Sequence, residues 1–302
     1  MSINKKQIIA EGALFSNTLI WGGTFVMIKS ALTFISPMMF VSVRFSIAAL
    51  LLLPFVYPLF KTISKKQLSE GFILGVFLYI GFAVQTIGLQ YTTATKSAFI
   101  TGTFVLFTPI LQTIIEKRVP TIGNIIGVLL VTVGIIFLSS KENSLFSIFS
   151  ELGEGFNVGD FLTLICAIFY AVYIVYLDKI SANHNHRFLT FAQISVTGLL
   201  SILSIAVFSF VQIEPVKIVL NNEVVIAILY TALFATILTT SLQTKFQQAV
   251  TPTRASIIFS MEPLFAAVTA YFFINEKLSN FGIAGAAFIF LGILISELWP
   301  KK

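Results

Sequence analysis

Glu262 and Arg44 are ionisable residues deep inside apolar runs, and they set the chemistry to look for. At 1.5 Å per residue, Glu262 is about 14 Å into its helix and Arg44 about 10 Å into its own. A charge at the centre of a bilayer costs about 2.5–3.5 kcal/mol on insertion scales, so neither should face lipid. Arg44 is expected to face protein and to pair with an acid or with carbonyls, as a structural intramembrane charge. Two roles stay open for Glu262, a structural one and contact with a substrate or a proton. The second makes H+ a candidate coupling ion.

Polar residues recur around these charges at helical spacing. Asn17, Trp21 and Thr24 are four and then three residues apart, which puts them on one helix face. An offset of 149 positions carries that set onto Cys166, Tyr170 and Tyr173. Tyr79, Thr86 and Gln90 share a face of a third helix, and Thr236, Thr240, Gln243 and Gln247 form a comparable row. Thr101, Thr108 and Gln112 form one more. Helices that touch only lipid have no use for such rows. One reading is a central cavity lined by Asn17, Trp21, Thr24, Tyr79, Thr86, Gln90, Tyr170, Tyr173, Thr240, Gln243 and Glu262. The competing reading is interhelical hydrogen bonding, worth about 0.6 kcal/mol per contact.

Catalytic patterns are missing from this inventory. There is no Walker A sequence, G-x-G-x-x-G, G-x-S-x-G or H-E-x-x-H in the chain. No catalytic residue, metal or cofactor is therefore expected. His184 and His186, in a short polar stretch, have no cysteine or carboxylate cluster beside them and read as a solvated loop.

The elements that carry these residues are apolar helices. The 302 residues are 57% hydrophobic and 11% charged, against about 25% charged in soluble domains. Mean hydropathy is +0.95. A water-soluble core of this size cannot hide so much apolar surface, so the lipid bilayer must be the solvent. The net charge of +6 does not indicate a nucleic-acid partner, because the basic residues lie in short loops and form no stripe. A single cysteine, Cys166, excludes an intramolecular disulfide.

Ten runs approach the ~20 residues needed to cross a bilayer. They cover 8–29, 37–60, 68–91, 94–116, 121–139, 158–178, 188–211, 224–246, 253–274 and 280–298. With the N-terminus in the cytoplasm, 13 basic residues fall in inner segments and 5 in outer ones. That bias places both termini inside. Pro109 and Pro263 each remove one helix N–H and predict kinks at Val105 and Phe259.

The runs also repeat. Gln85-Thr86, Gln90, Thr95-Lys96, Gly127 and Gly134 return 158 positions later as Gln243-Thr244, Gln248, Thr253-Arg254, Gly285 and Gly292. The four glycines, seven apart in each pair, are expected to let helices pack closely. Residues 1–140 then form one repeat, 141–157 an external linker and 158–302 a second repeat. Five spans per repeat is an odd number, so the second enters from the opposite face. The expected fold is an all-α integral membrane protein of ten transmembrane helices in two inverted five-helix repeats. Such repeats place a binding site near the midplane.

Several of these residues resemble a known family. Trp21-Gly22-Gly23-Thr24-Phe25, Lys29, Pro37 and Arg44 look like the opening of EamA-type members of the drug/metabolite transporter superfamily. So do Gly88-Leu89-Gln90-Tyr91-Thr92, Glu262-Pro263 and Asn275-Glu276-Lys277-Leu278. The resemblance implies two inverted five-helix repeats, a cavity from spans 1, 3, 4, 6, 8 and 9, and export or exchange of amino acids or other small metabolites. Phe104 stands where the repeat would place a second acid, so a paired-carboxylate mechanism does not fit. The expected function is secondary transport of a small organic solute, outward, across a bacterial-type inner membrane. An intramembrane enzyme and a non-transporting scaffold are the alternatives, and the oligomeric state is left open.

Overall fold

A computed structural model describes residues 5–139, 156–212, 215–274 and 280–299. Most of the expected linker, with Leu145-Phe146 and Ile148-Phe149, lies outside the described residues, as does Asn275-Glu276-Lys277-Leu278.

The described chain is helical. It runs through α1 (Lys5–Gly22), α2 (Thr24–Ala31), α3 (Pro37–Val56), α4 (Lys65–Tyr91), α5 (Ala94–Gly102), α6 (Phe104–Glu116) and α7 (Ile122–Ser139). It continues through α8 (Val158–Ser181), α9 (His186–Phe210), α10 (Asn222–Ala232), α11 (Thr239–Phe246), α12 (Pro252–Phe259), α13 (Glu262–Ile274) and α14 (Asn280–Leu298). Seven helices among the described residues are long and apolar enough to cross a membrane. Helices are the natural answer for apolar runs in lipid, because every backbone bond closes within the segment.

Helix starts follow local chemistry. The Ser64 hydroxyl accepts from the Gln67 N–H at 3.1 Å, and the Asn221 side chain from Val224 N–H at 2.9 Å. Asn157 and Asp160 cap α8 reciprocally. Pro37 and Pro252 open α3 and α12, where a missing N–H costs nothing.

Polarity runs inside out. Phe55, Phe210 and Phe272 are 72%, 90% and 73% exposed, while Asn17, Thr108 and Gln193 are fully buried. Water would penalise that arrangement, and hydrocarbon favours it.

Three spans are interrupted, and a fourth is locally widened. Gly23 separates α1 from α2, Thr103 separates α5 from α6, and residues 260–261 separate α12 from α13. Between α10 and α11 the chain winds as a π-helix, Leu233–Leu238. The break ahead of Pro263 has the expected cause, since the proline has no N–H to donate to the Phe259 carbonyl. Pro109 behaves differently. It sits inside α6, and the interruption lies six residues earlier, at Thr103, not at Val105. There the Thr103 N–H and hydroxyl both bond to the Ile100 carbonyl, at 3.1 and 2.6 Å, and tighten the turn. The two broken spans meet: a Cβ on Gly102 would lie 2.9 Å from Cγ of Pro263.

Glycines let α7 and α14 pack closely. A Cβ on Gly134 would come within 2.6 Å of the Gly285 carbonyl oxygen. Cβ atoms on Gly127 and Gly292 would each lie 2.8 Å from the other's carbonyl oxygen. As the number rises along α7 it falls along α14, so the pair is antiparallel.

Candidate functional site

The broken and widened helices, with α3, α4 and α8, surround a cavity of up to about 670 Å³ of empty space, any adjoining solvent counted in. Trp21, Thr24, Phe25 and Ile28 line it from α1 and α2, Arg44 from α3, and Leu78, Phe82 and Gln85 from α4. Phe104, Tyr170, Tyr173, Ile174, Ala235, Thr240, Gln243, Phe259 and Glu262 complete the wall. Residues from both sequence repeats therefore face one space. Gly81 matters here because a Cβ would come within 2.5 Å of the Tyr170 ring, so only a glycine lets that ring lie against α4.

Arg44 is held by hydrogen bonds and by ring contacts. Its Nε donates to Thr236 Oγ1 at 2.7 Å and Nη2 to the Ala235 carbonyl at 2.8 Å. Both acceptors belong to the π-helix, whose wide turns leave carbonyls off the regular ladder, and such turns are frequent at functional sites. The guanidinium carbon also lies 4.6 Å from the centre of the Phe82 ring and 5.3 Å from that of Phe45. Carbonyl, hydroxyl and ring faces hold the charge, and no acid among the described residues does.

Glu262 is buried in the same wall, at the first position of α13. Among the described residues no hydrogen bond or ion pair reaches its carboxyl. The cavity thus carries one cationic and one acidic side chain that do not pair with each other.

Neutral groups of the wall are tied down. Tyr170 donates to Gln85 Oε1 at 3.2 Å, and Gln85 donates to Thr101 at 3.1 Å. Tyr173 donates to Gln193 at 2.7 Å, and Gln193 to Thr244 at 2.9 Å. The Trp21 indole N–H donates to Thr239 at 3.1 Å, and Phe259 meets that ring edge-on at 5.3 Å. Gln243 donates to Gln247 at 2.8 Å. Such chains fix donors and acceptors before anything binds.

Trp21, Thr24, Tyr170, Tyr173, Thr240, Gln243 and Glu262 share the lining, and Arg44 joins them. Four candidates from the polar stripes lie elsewhere. Asn17 is fully buried and donates to the Thr239 carbonyl at 3.1 Å. Tyr79 is bonded to Ser204 on α9. Thr86 turns back to the Phe82 carbonyl at 2.7 Å. Gln90 is exposed in the last turn of α4. On α4 the cavity face is Leu78, Phe82 and Gln85, four and three apart, so the Tyr79 stripe lies on the neighbouring face. Gln85 carried a usable signal, since it is the repeat mate of Gln243.

The sequence profile of the EamA-like transporter family matches residues 8–140 and again 157–298. The chain belongs to the EamA-like transporter family. This EamA-like protein is 35% identical over 293 residues to an uncharacterized transporter of Archaeoglobus fulgidus, covering 97% of this chain and 87% of the relative. It is 24% identical to the uncharacterized transporter YyaM of Bacillus subtilis, covering 94% and 92% of the two chains. A protein of known crystal structure shares the fold at a TM-score of 0.74 and 13% identity, over 97% of each chain. The EamA-like chain is an integral membrane transporter.

Proposed function

We propose that this EamA-like chain is a secondary active exporter of small zwitterionic or neutral metabolites such as amino acids. It works by alternating access across the inner membrane, with both termini in the cytoplasm. Ten spans are reached by adding Lys5–Ala31, α7 and α14 to the seven longest apolar helices. Residues 1–140 and 158–302 form inverted five-helix repeats, joined by 141–157 on the outside. Two profile matches, each covering one repeat, support this division.

One observation carries the substrate class. Arg44 and Glu262 face one cavity without pairing, amid aromatic, amide and hydroxyl groups. A guanidinium matches a carboxylate and an acid matches an ammonium group, so a zwitterion satisfies both. Phosphorylated metabolites fit poorly, because they call for several cationic donors. Glu262 is also the residue we assign to H+ coupling.

Comparing metabolites released by cells that overproduce the protein with those of cells lacking it should yield candidate substrates. Reconstituted flux of those candidates then tests them. Flux in the native protein should respond to an imposed pH gradient, and Glu262→Gln should remove that response. Normal flux with an intact pH response in Glu262→Gln would refute the coupling role. No metabolite difference and no flux would refute export.

A further inference from the structure

Two ion pairs, each with one deeply buried partner, join helices across the repeats. Lys96 Nζ, on the first turn of α5, lies 2.6 Å from Asp160 Oδ2, on the first turn of α8. Arg254 Nε, on the first turn of α12, lies 3.0 Å from Glu11 Oε1 on α1. The same two offsets that define the repeat relate the pairs. Lys96 maps onto Arg254 by 158 positions, and Glu11 maps onto Asp160 by 149. Even the caps match: Thr93 accepts from Lys96 N–H at 3.1 Å, and Thr251 from Arg254 N–H at 3.4 Å.

The pairs sit at opposite ends of the bundle. Lys29, near the end of α2, donates to the carbonyls of Leu89 and Gln90 at 2.7 and 3.0 Å. Asn157, three residues before Asp160, donates to the next carbonyl, Tyr91, at 3.0 Å. The Asp160 pair therefore lies at the Lys29 end of the first span. Glu11 is eighteen residues earlier, about 27 Å away at helical rise. In each pair one partner is deeply buried and the other, Lys96 or Glu11, is partly exposed, at 27% and 16%. Asp160 is fully buried and also accepts from Thr92 at 2.6 Å, while the Arg254 side chain is 6% exposed and Glu11 also accepts from Gln7 at 2.6 Å.

We propose that these two pairs are the gate latches of the transport cycle, one for each face of the membrane. The proposal rests on the alternating-access reading above. Each latch joins one helix from each repeat, so it must break when the cavity opens toward its own face and hold when it opens toward the other. Repeat symmetry supplies the same device at both ends, with the acid and the base exchanged between the halves. These four residues are positioning residues: they decide which face the cavity meets and make no contact with its contents.

Sided labelling tests this. Full-length protein carrying Cys166→Ala and Thr24→Cys is placed in vesicles of known orientation, and a membrane-impermeant maleimide is added outside or trapped inside. Thr24 lines the cavity, so its cysteine reports access. Asp160→Asn should raise labelling from the Asp160 face relative to the other face by about fivefold or more, the scale of ordinary coupling between sites. Glu11→Gln should shift the ratio the opposite way. Exchanging the charges, Lys96→Asp with Asp160→Lys, should return the parent ratio. Lys96→Gln reads the same latch if Asp160→Asn does not fold. A ratio unmoved by every variant, or labelling that rises equally from both faces, would overturn the latches and leave the transporter reading standing. A cysteine at position 24 that is reached from neither face in any variant would overturn both.

Discussion

Gly134 lies against Gly285 and Gly127 against Gly292, and exchanging the repeats maps one contact onto the other. The cavity lacks that interchange. Glu262 and Phe104 are repeat mates by the same offset of 158, they face the same space, and one is an acid and the other a ring. The broken spans that carry them also part at matching positions, Thr103 and Met261, but for different reasons. A threonine hydroxyl tightens the first break, and a proline accompanies the second. Where the halves only pack, they stay equivalent, because closeness depends on removing side chains from both helices. Where they line the cavity they diverge, because side chains there do not have to fit against each other.

The cavity difference gives the largest expected effect. Glu262→Gln should lower reconstituted flux about a hundredfold or more, the cost of removing one member of a desolvated charge contact. Phe104→Leu should lower it several-fold only. Equal losses would show that charge is not what separates the two halves.

The glycine seam comes next. Gly134→Ala and Gly292→Ala should each destabilise the detergent-solubilised protein by about 1–3 kcal/mol, as overpacking does. Thermal unfolding reads this, and the two losses should match. Gly12→Ala, where a Cβ meets nothing within 4 Å, should leave the midpoint unchanged or slightly higher. Unequal losses at Gly134 and Gly292 would break the equivalence of the halves at the seam.

Arg44→Lys should cost about 1–2 kcal/mol in the same measurement, since an ammonium group cannot reproduce the forked bonds to Ala235 and Thr236. No loss would mean that the π-helix does not depend on this contact. The smallest effect separates the prolines. Pro263→Ala should alter flux by about threefold, at the low end of the effects of residues that only transmit a motion, and Pro109→Ala by less. The reverse order would make α6 the moving element.

Much of this was legible before any coordinates. Apolar run length and low charge determine that the chain is helical and lives in a membrane, because lipid leaves the backbone no other partner than itself. Glu262 and Arg44 stand out because their burial is costly unless they face protein or a cavity. Trp21, Tyr170 and Gln243 were readable from rows repeated in both halves. Other features depend on how helices turn about their axes. A polar row marks a face but not what it meets, so Tyr79 and Thr86 were grouped with the cavity although their partners are Ser204 and Phe82. The π-helix has no sequence signature, and Pro109 pointed to the wrong turn. The sequence by itself determined the solvent, the repeats and the costly charges, because each follows from composition and local spacing. The tertiary structure alone decided that Arg44 and Glu262 share one space without pairing, because that depends on helix rotation and on breaks placed by contacts between distant parts of the chain.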